Sequence, residues 1–152
     1  MRLQARSILI GAAKPIQNNV TSQPHNSARK QKRVLVADDN RDAGETLAML
    51  LRLDGHEVHV ANDGLEAVEL FDREQPEVVI LDIGMPGLSG HEVAQHIRGA
   101  CGERAVTLIA VTGWGQKADK DRATASGFDH HFTKPVDYAK LLDLIDRAKP
   151  PS

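Results

Sequence analysis

Residues 33–40 read Arg-Val-Leu-Val-Ala-Asp-Asp-Asn, and the break inside that stretch decides the fold. Four aliphatic residues in succession, Val34 to Ala37, suit a strand covered on both faces, because a strand with one wet face would alternate. The run ends in Asp38-Asp39-Asn40, and helical sequence follows, with Ala43, Leu47, Leu50 and Leu51 at the 3.6-residue period. Gly55 stops that helix. The same alternation then repeats to the end of the chain. Glu57 to Ala61 is a strand, and Asn62-Asp63 caps a helix that carries Ala67, Val68 and Phe71 inward. Pro76 ends it, and Glu77 to Leu81 is a third strand ending at Asp82. After the loop 83–90, Ile-Gly-Met-Pro-Gly-Leu-Ser-Gly, a helix runs to about Ile97. Val106 to Val111 is a fourth strand ending at Thr112-Gly113, and a polar helix spans about Gln116 to Ser126. Phe128 to Phe132 is a fifth strand ending at Lys134-Pro135, and Tyr138, Leu141, Leu142 and Ile145 mark a last helix.

Five strands and five helices in strict alternation predict a parallel sheet with helices on both faces, joined by right-handed crossovers. The fold class is α/β, a flavodoxin-like doubly wound sandwich. The remaining composition agrees. The chain has 152 residues and 41% hydrophobic content, enough for one domain with its own core. Only five aromatic side chains are present, three Phe, one Trp and one Tyr, so the core is aliphatic. The single Cys101 excludes an internal disulfide and fits a reducing compartment. No apolar run reaches the ~20 residues of a membrane span. The apolar patch 8–13 is too short for a signal peptide, and the chain reads as cytoplasmic.

The net charge of -2 is unevenly spread. Residues 1–33 carry seven Lys/Arg and no Asp or Glu, which leaves the rest of the chain at -9. Residues 1–32 therefore read as a basic, disordered tail, 33–149 as the folded domain, and 150–152 as a short tail. The N-terminal tail contains no aromatic residue to stack on bases, so nucleic-acid binding is weakly signalled and a solvated leader is the simpler reading.

In sheets of this class, ligands bind beyond the carboxyl ends of the strands. Here Asp38-Asp39, Asp82, Thr112 and Lys134 stand at four of those ends. Any one alone reads as a cap or a solvated loop residue, but all of them at successive strand ends form a constellation. Carboxylates held together raise one another's pKa unless a cation intervenes, and an oxygen-only set suits Mg²⁺. Asp39, Asp82 and the backbone carbonyl of Gly84 are the candidate protein ligands, with Asp38 acting through water. Lys134 adds a fixed positive charge and Thr112 a hydroxyl. A cation, an ammonium and a hydroxyl around one nucleophilic carboxylate make a receptor for a phosphoryl group.

With these motifs in view, residues 33–149 resemble the receiver domain of two-component response regulators. The matching elements are Val-Leu-Val-Ala-Asp38-Asp39-Asn40, Leu81-Asp82-Ile-Gly-Met-Pro86-Gly, Val111-Thr112-Gly113 and Phe132-Thr133-Lys134-Pro135. Gly127-Phe-Asp-His-His-Phe-Thr-Lys-Pro-Val-Asp137 and Thr112-Gly-Trp-Gly-Gln116 resemble the receivers of hybrid sensor histidine kinases. The resemblance implies strand order 2-1-3-4-5 and a cis Lys134-Pro135 bond. It also implies Asp82 as phospho-acceptor, a Mg²⁺ site at Asp38 and Asp39, Thr112 as switch hydroxyl and Lys134 as phosphate clamp. The donor is then a histidine kinase or histidine phosphotransfer protein. The output is a downstream protein bound by the face of the fourth helix, fifth strand and fifth helix. No DNA-binding output domain is expected within the chain.

Chemistry is limited to self-phosphorylation and self-dephosphorylation at Asp82. A hydrolase with an aspartyl nucleophile would want Asp-x-Asp after the first strand, which is absent. A receiver-like module that only binds partners would have lost a carboxylate, and none is lost. His131 occupies the position where related receivers carry Tyr or Phe, a side chain that swings inward on switching. A charged imidazole there is costly to desolvate, so a switching His131 is expected to show a lowered pKa on activation; the alternative is a partly exposed strand-end residue with no part in switching. Trp114, two residues after Thr112, is expected to shield the acyl phosphate from water.

Overall fold

The computed structural model describes residues 30–113 and 126–148. Within them the order is β1 (Arg33–Ala37), α1 (Arg41–Leu53), β2 (Glu57–Ala61), α2 (Gly64–Glu74), β3 (Val78–Asp82), α3 (Gly90–Cys101), β4 (Thr107–Thr112), β5 (His130–Thr133) and α4 (Tyr138–Arg147). All strand pairs are parallel, and the sheet runs β2-β1-β3-β4-β5, the order the resemblance implied. The tail expected over 1–32 and the helix expected at about Gln116 to Ser126 fall almost wholly outside the described residues.

Alternate strand residues feed two cores. Leu35, Ala37, Val79, Leu81, Leu108 and Ala110 pack against α2 and α3 through Ala67, Phe71, Val93 and Ile97. Val34, Val36, Ile80, Ile109 and Val111 pack against α1 and α4 through Ala48, Leu51, Leu141 and Ile145. Both faces of β1 and β3 are therefore dry, which is why those strands read as unbroken aliphatic runs. On the outer edge of β2, His59 Nε2 lies 3.1 Å from Glu57 and 3.4 Å from Glu74. Such partly exposed charge on an edge strand opposes pairing with another chain.

The helix starts follow the sequence signals. The side chains of Asn40, Asp63, Ser89 and Asp137 each accept a backbone N–H of the first turn, and Ser89 with Glu92 completes a capping box. Two expectations are corrected. In α1 Leu51 is buried as expected and Leu47 is half-buried against the same core, but the rest of the buried stripe is Gly44 and Ala48. Ala43 is exposed and Leu50 is 39% exposed, because the helix is rotated to lay Gly44 against Val60 and Asp38. The fifth strand begins at His130, not Phe128. Gly127 takes φ 104°, and the Asp129 carboxylate accepts the Leu108 N–H at 2.8 Å and the Arg98 guanidinium at 2.7 Å. That clamp bends the chain before pairing starts, and Phe128 drops into the α3-side core against His91. No helix among the described residues is long and apolar enough to cross a membrane.

Candidate functional site

The carboxyl ends of β1, β3, β4 and β5 gather the polar residues singled out above. Asp38 and Asp82 are buried, and Asp39 is exposed. One carboxylate oxygen from each of the three lies within 4.8 Å of the others. Each buried carboxylate is held by the backbone two residues on. The Asn40 N–H donates to Asp38 Oδ1 at 2.9 Å, and the Gly84 N–H donates to Asp82 Oδ1 at 3.0 Å. These are Asx-type turns, and they leave the Oδ2 atoms to face inward. Lys134 meets both of them, with Nζ 3.2 Å from Asp38 Oδ2 and 3.4 Å from Asp82 Oδ2.

Close backbone approach positions Asp82. Gly90, the first residue of α3, would place a Cβ 2.8 Å from the Asp82 carbonyl oxygen and 2.8 Å from Ile83 Cα. Only glycine lets α3 start that near the end of β3. Lys134 is set by a backbone bond from its own N–H to the Thr112 carbonyl at 2.8 Å, and the Lys134-Pro135 bond is cis.

The electrostatics follow from burial. Desolvation pushes the Asp82 carboxyl up to about 6, and the neighbouring Asp38 adds to the rise; the Gly84 N–H and the Lys134 charge oppose it. Burial acts against the Lys134 ammonium, but the Asp82 and Asp38 carboxylates outweigh it and hold the group above its ordinary range. The site is therefore short of positive charge when both buried carboxyls ionise. An oxygen-only donor set with three close carboxylates and that deficit fits Mg²⁺, with Asp38, Asp39 and Asp82 as the residues to hold it.

Thr112 is fully buried at the end of β4. Its Oγ1 lies 3.3 Å from His131 Nε2 and 3.5 Å from the Phe132 carbonyl. Thr112 is one residue beyond Val111, which pairs with Asp82 across β3 and β4. Trp114 lies outside the described residues. Beside the carboxylates opens a groove of about 550 Å³ whose apolar wall includes Leu47, Leu50, Val136 and Tyr138. Sequence reading put Leu47 and Leu50 on the core face of α1 and so missed this wall: Leu47 packs against the core but also lines the groove, and Leu50 is exposed there. It also missed the N–H groups of Asn40 and Gly84, although an Asp leaving a strand can accept the backbone N–H two residues on.

A doubly wound sheet with three clustered carboxylates, a threonine and a lysine at its strand ends defines a phosphoryl-receiving signalling domain. The family pattern described as response regulator receiver domain matches residues 34–146. The chain belongs to that family and is a phosphorelay receiver. Protein PilH of Pseudomonas aeruginosa is 35% identical over 114 residues, covering 75% of this chain and 94% of that one. The receiver domain of sensor histidine kinase PA1611 from Pseudomonas aeruginosa PAO1, solved with magnesium in its active-site cleft, superposes with a TM-score of 0.69 at 26% identity, covering 78% of this chain and 98% of that one. The receiver of Ssk1 from Saccharomyces cerevisiae, crystallised with the histidine phosphotransfer protein Ypd1, gives 0.70 at 28% identity, covering 77% and 88%.

Proposed function

We propose that Asp82 is the phospho-acceptor and that its donor is a phosphohistidine on a histidine kinase or a histidine phosphotransfer protein. The observation that carries this reading is the buried Asp82 carboxylate lining the groove, with the Lys134 ammonium 3.4 Å from Oδ2. A carboxylate oxygen of Asp82 attacks phosphorus, an O–P bond forms, and the P–N bond breaks. The imidazole leaves with the electron pair, neutral when its other nitrogen already carries a proton. Asp38, Asp39 and Asp82, with the Gly84 carbonyl as a further candidate ligand, would hold Mg²⁺, which would offset their charge and that of the phosphoryl oxygens. Lys134 supplies a second, fixed cation. Hydrolysis of the acyl phosphate returns free Asp82, so the chemistry is confined to the chain's own carboxylate.

The donor's approach is supported by the surface of α1. Met49 and Leu53 are 58% and 74% exposed, and Leu50 continues the apolar surface into the groove. Thr112 is the residue that senses the phosphoryl group. The downstream partner binds the face that includes β5 and α4, and the protein works in the cytoplasm. The test is incubation with Mg²⁺ and acetyl phosphate followed by intact mass measurement. One added phosphoryl group, absent in Asp82→Asn, is the expected result. No mass increase in the wild-type protein overturns the assignment.

A further inference from the structure

The Thr112 hydroxyl has one proton to give and is buried away from water, so its neighbours decide where that proton goes. Two of them are His131 Nε2 at 3.3 Å and the Phe132 carbonyl at 3.5 Å. The second is at the limit of a hydrogen bond. Two arrangements satisfy the hydroxyl. In one, Oγ1–H donates to a bare Nε2. In the other, Nε2–H donates to Oγ1 and the hydroxyl proton points elsewhere. A phosphoryl oxygen is a charged acceptor, and hydrogen bonds to it are roughly twice as strong as neutral ones. It therefore favours the second arrangement, in which the hydroxyl proton is released toward it.

The sheet geometry makes the contact possible. His131 pairs with Ala110 in the β4–β5 register, and the methyl group leaves space along β4. Thr112, two residues further on, lies on the same face of that strand. His131 is half-buried, and moving the proton of a neutral imidazole from one ring nitrogen to the other leaves its net charge unchanged.

We infer that His131 is a positioning residue for Thr112: when the phosphoryl group is present, its Nε2–H donates to Oγ1 and frees the hydroxyl proton for the phosphoryl oxygen. This inference rests on the reading of Asp82 as acceptor. It assigns to a ring nitrogen a role that Phe at this position lacks.

The experiment uses the full chain with ¹⁵N-labelled histidine, Mg²⁺ and beryllium fluoride as the phosphoryl mimic. The His131 signal is assigned with His131→Gln. In the complex, Nε2 is expected to carry its proton and Nδ1 to be bare. Affinity for the mimic is expected to fall about fivefold in His131→Phe, the size of one ordinary net hydrogen bond. His131→Gln, whose amide nitrogen reaches the place of Nε2, stays within about twofold, whereas the shorter His131→Asn behaves like Phe. Binding of the mimic with Nε2 left bare, or equal affinity in wild type and His131→Phe, overturns the relay alone. No binding in wild type overturns both the relay and the Asp82 assignment.

Discussion

Lys134 Nζ stands 3.4 Å from Asp82 Oδ2, although the two residues lie 52 positions apart in the chain. The lysine is 35% exposed while the Asp82 carboxylate is 9% exposed, so the pair joins a partly solvated cation to a buried anion. Removing the cation leaves Asp82 and Asp38 facing each other. Lys134→Met is expected to destabilise the Mg²⁺-free protein by about 1 kcal/mol at pH 8, a modest figure because water screens the ammonium. The loss should shrink at pH 5, where Asp82 takes up a proton. Urea unfolding of both proteins at the two pH values is the measurement.

The raised Asp82 pKa makes an ionised Asp82 a cost to the metal-free fold. A carboxyl at about 6 in the folded protein, against an ordinary 3.8, contributes stability below the lower value and loses it as pH rises through the higher. Asp82→Asn should therefore be more stable than wild type at pH 8 in EDTA, by up to about 3 kcal/mol. The advantage should disappear toward pH 4. Equal stability at pH 8 would contradict the burial argument.

Mg²⁺ should reverse that cost. A ligand that binds only the folded site at ten times its dissociation constant stabilises by about 1.4 kcal/mol, which raises the melting temperature by a few degrees in a domain of this size. Asp39→Ala removes an exposed carboxylate and should abolish the rise with little change in the metal-free melting temperature. Calorimetry with and without millimolar Mg²⁺ distinguishes the cases.

Gly90 is expected to tolerate no side chain. The Cβ of Gly90→Ala would stand 2.8 Å from the Asp82 carbonyl and from Ile83 Cα, and neither backbone atom can rotate away. Overpacking of this kind costs typically 1–3 kcal/mol. The displaced end of β3 should also slow phosphorylation by acetyl phosphate. A variant with wild-type stability and rate would show that α3 can shift without moving Asp82.

Leu53→Asp separates docking from chemistry. Leu53 is 74% exposed, so folding and phosphorylation by acetyl phosphate should be unchanged. Transfer from a protein phosphohistidine donor should slow about tenfold or more, as for an interface anchor. Parallel rates with the two donors provide the comparison.

Local sequence determined most of the layers and the members of the site. Val34 to Ala37 and Val78 to Leu81 had to be central strands, because no face of either run offers a polar residue to water. The reactive residues were visible because each follows such a run. Asp82 stands out as a charge directly after Leu81, and Lys134 as a charge directly before a proline. The helix starts were legible for the same local reason, since a capping side chain reaches only its own first turn.

Tertiary structure decided what depends on two distant segments at once. Ala43, Leu47, Leu50 and Leu51 fall on one apolar arc of α1, and only the docking of the helix against Val60 and Asp38 buried Leu51 with Gly44 and Ala48, half-buried Leu47 against the same core and left Ala43 and Leu50 on the groove. The late start of β5 depends on Asp129 meeting Arg98, 31 residues away. The Asp82 carboxyl is lifted by burial and by Asp38, 44 positions earlier. The Thr112–His131 contact exists because β4 and β5 pair in one register. Periodicity specifies which residues can face inward, but burial, register and electrostatic coupling are properties of the packed sheet, where partners separated in the chain first come within reach.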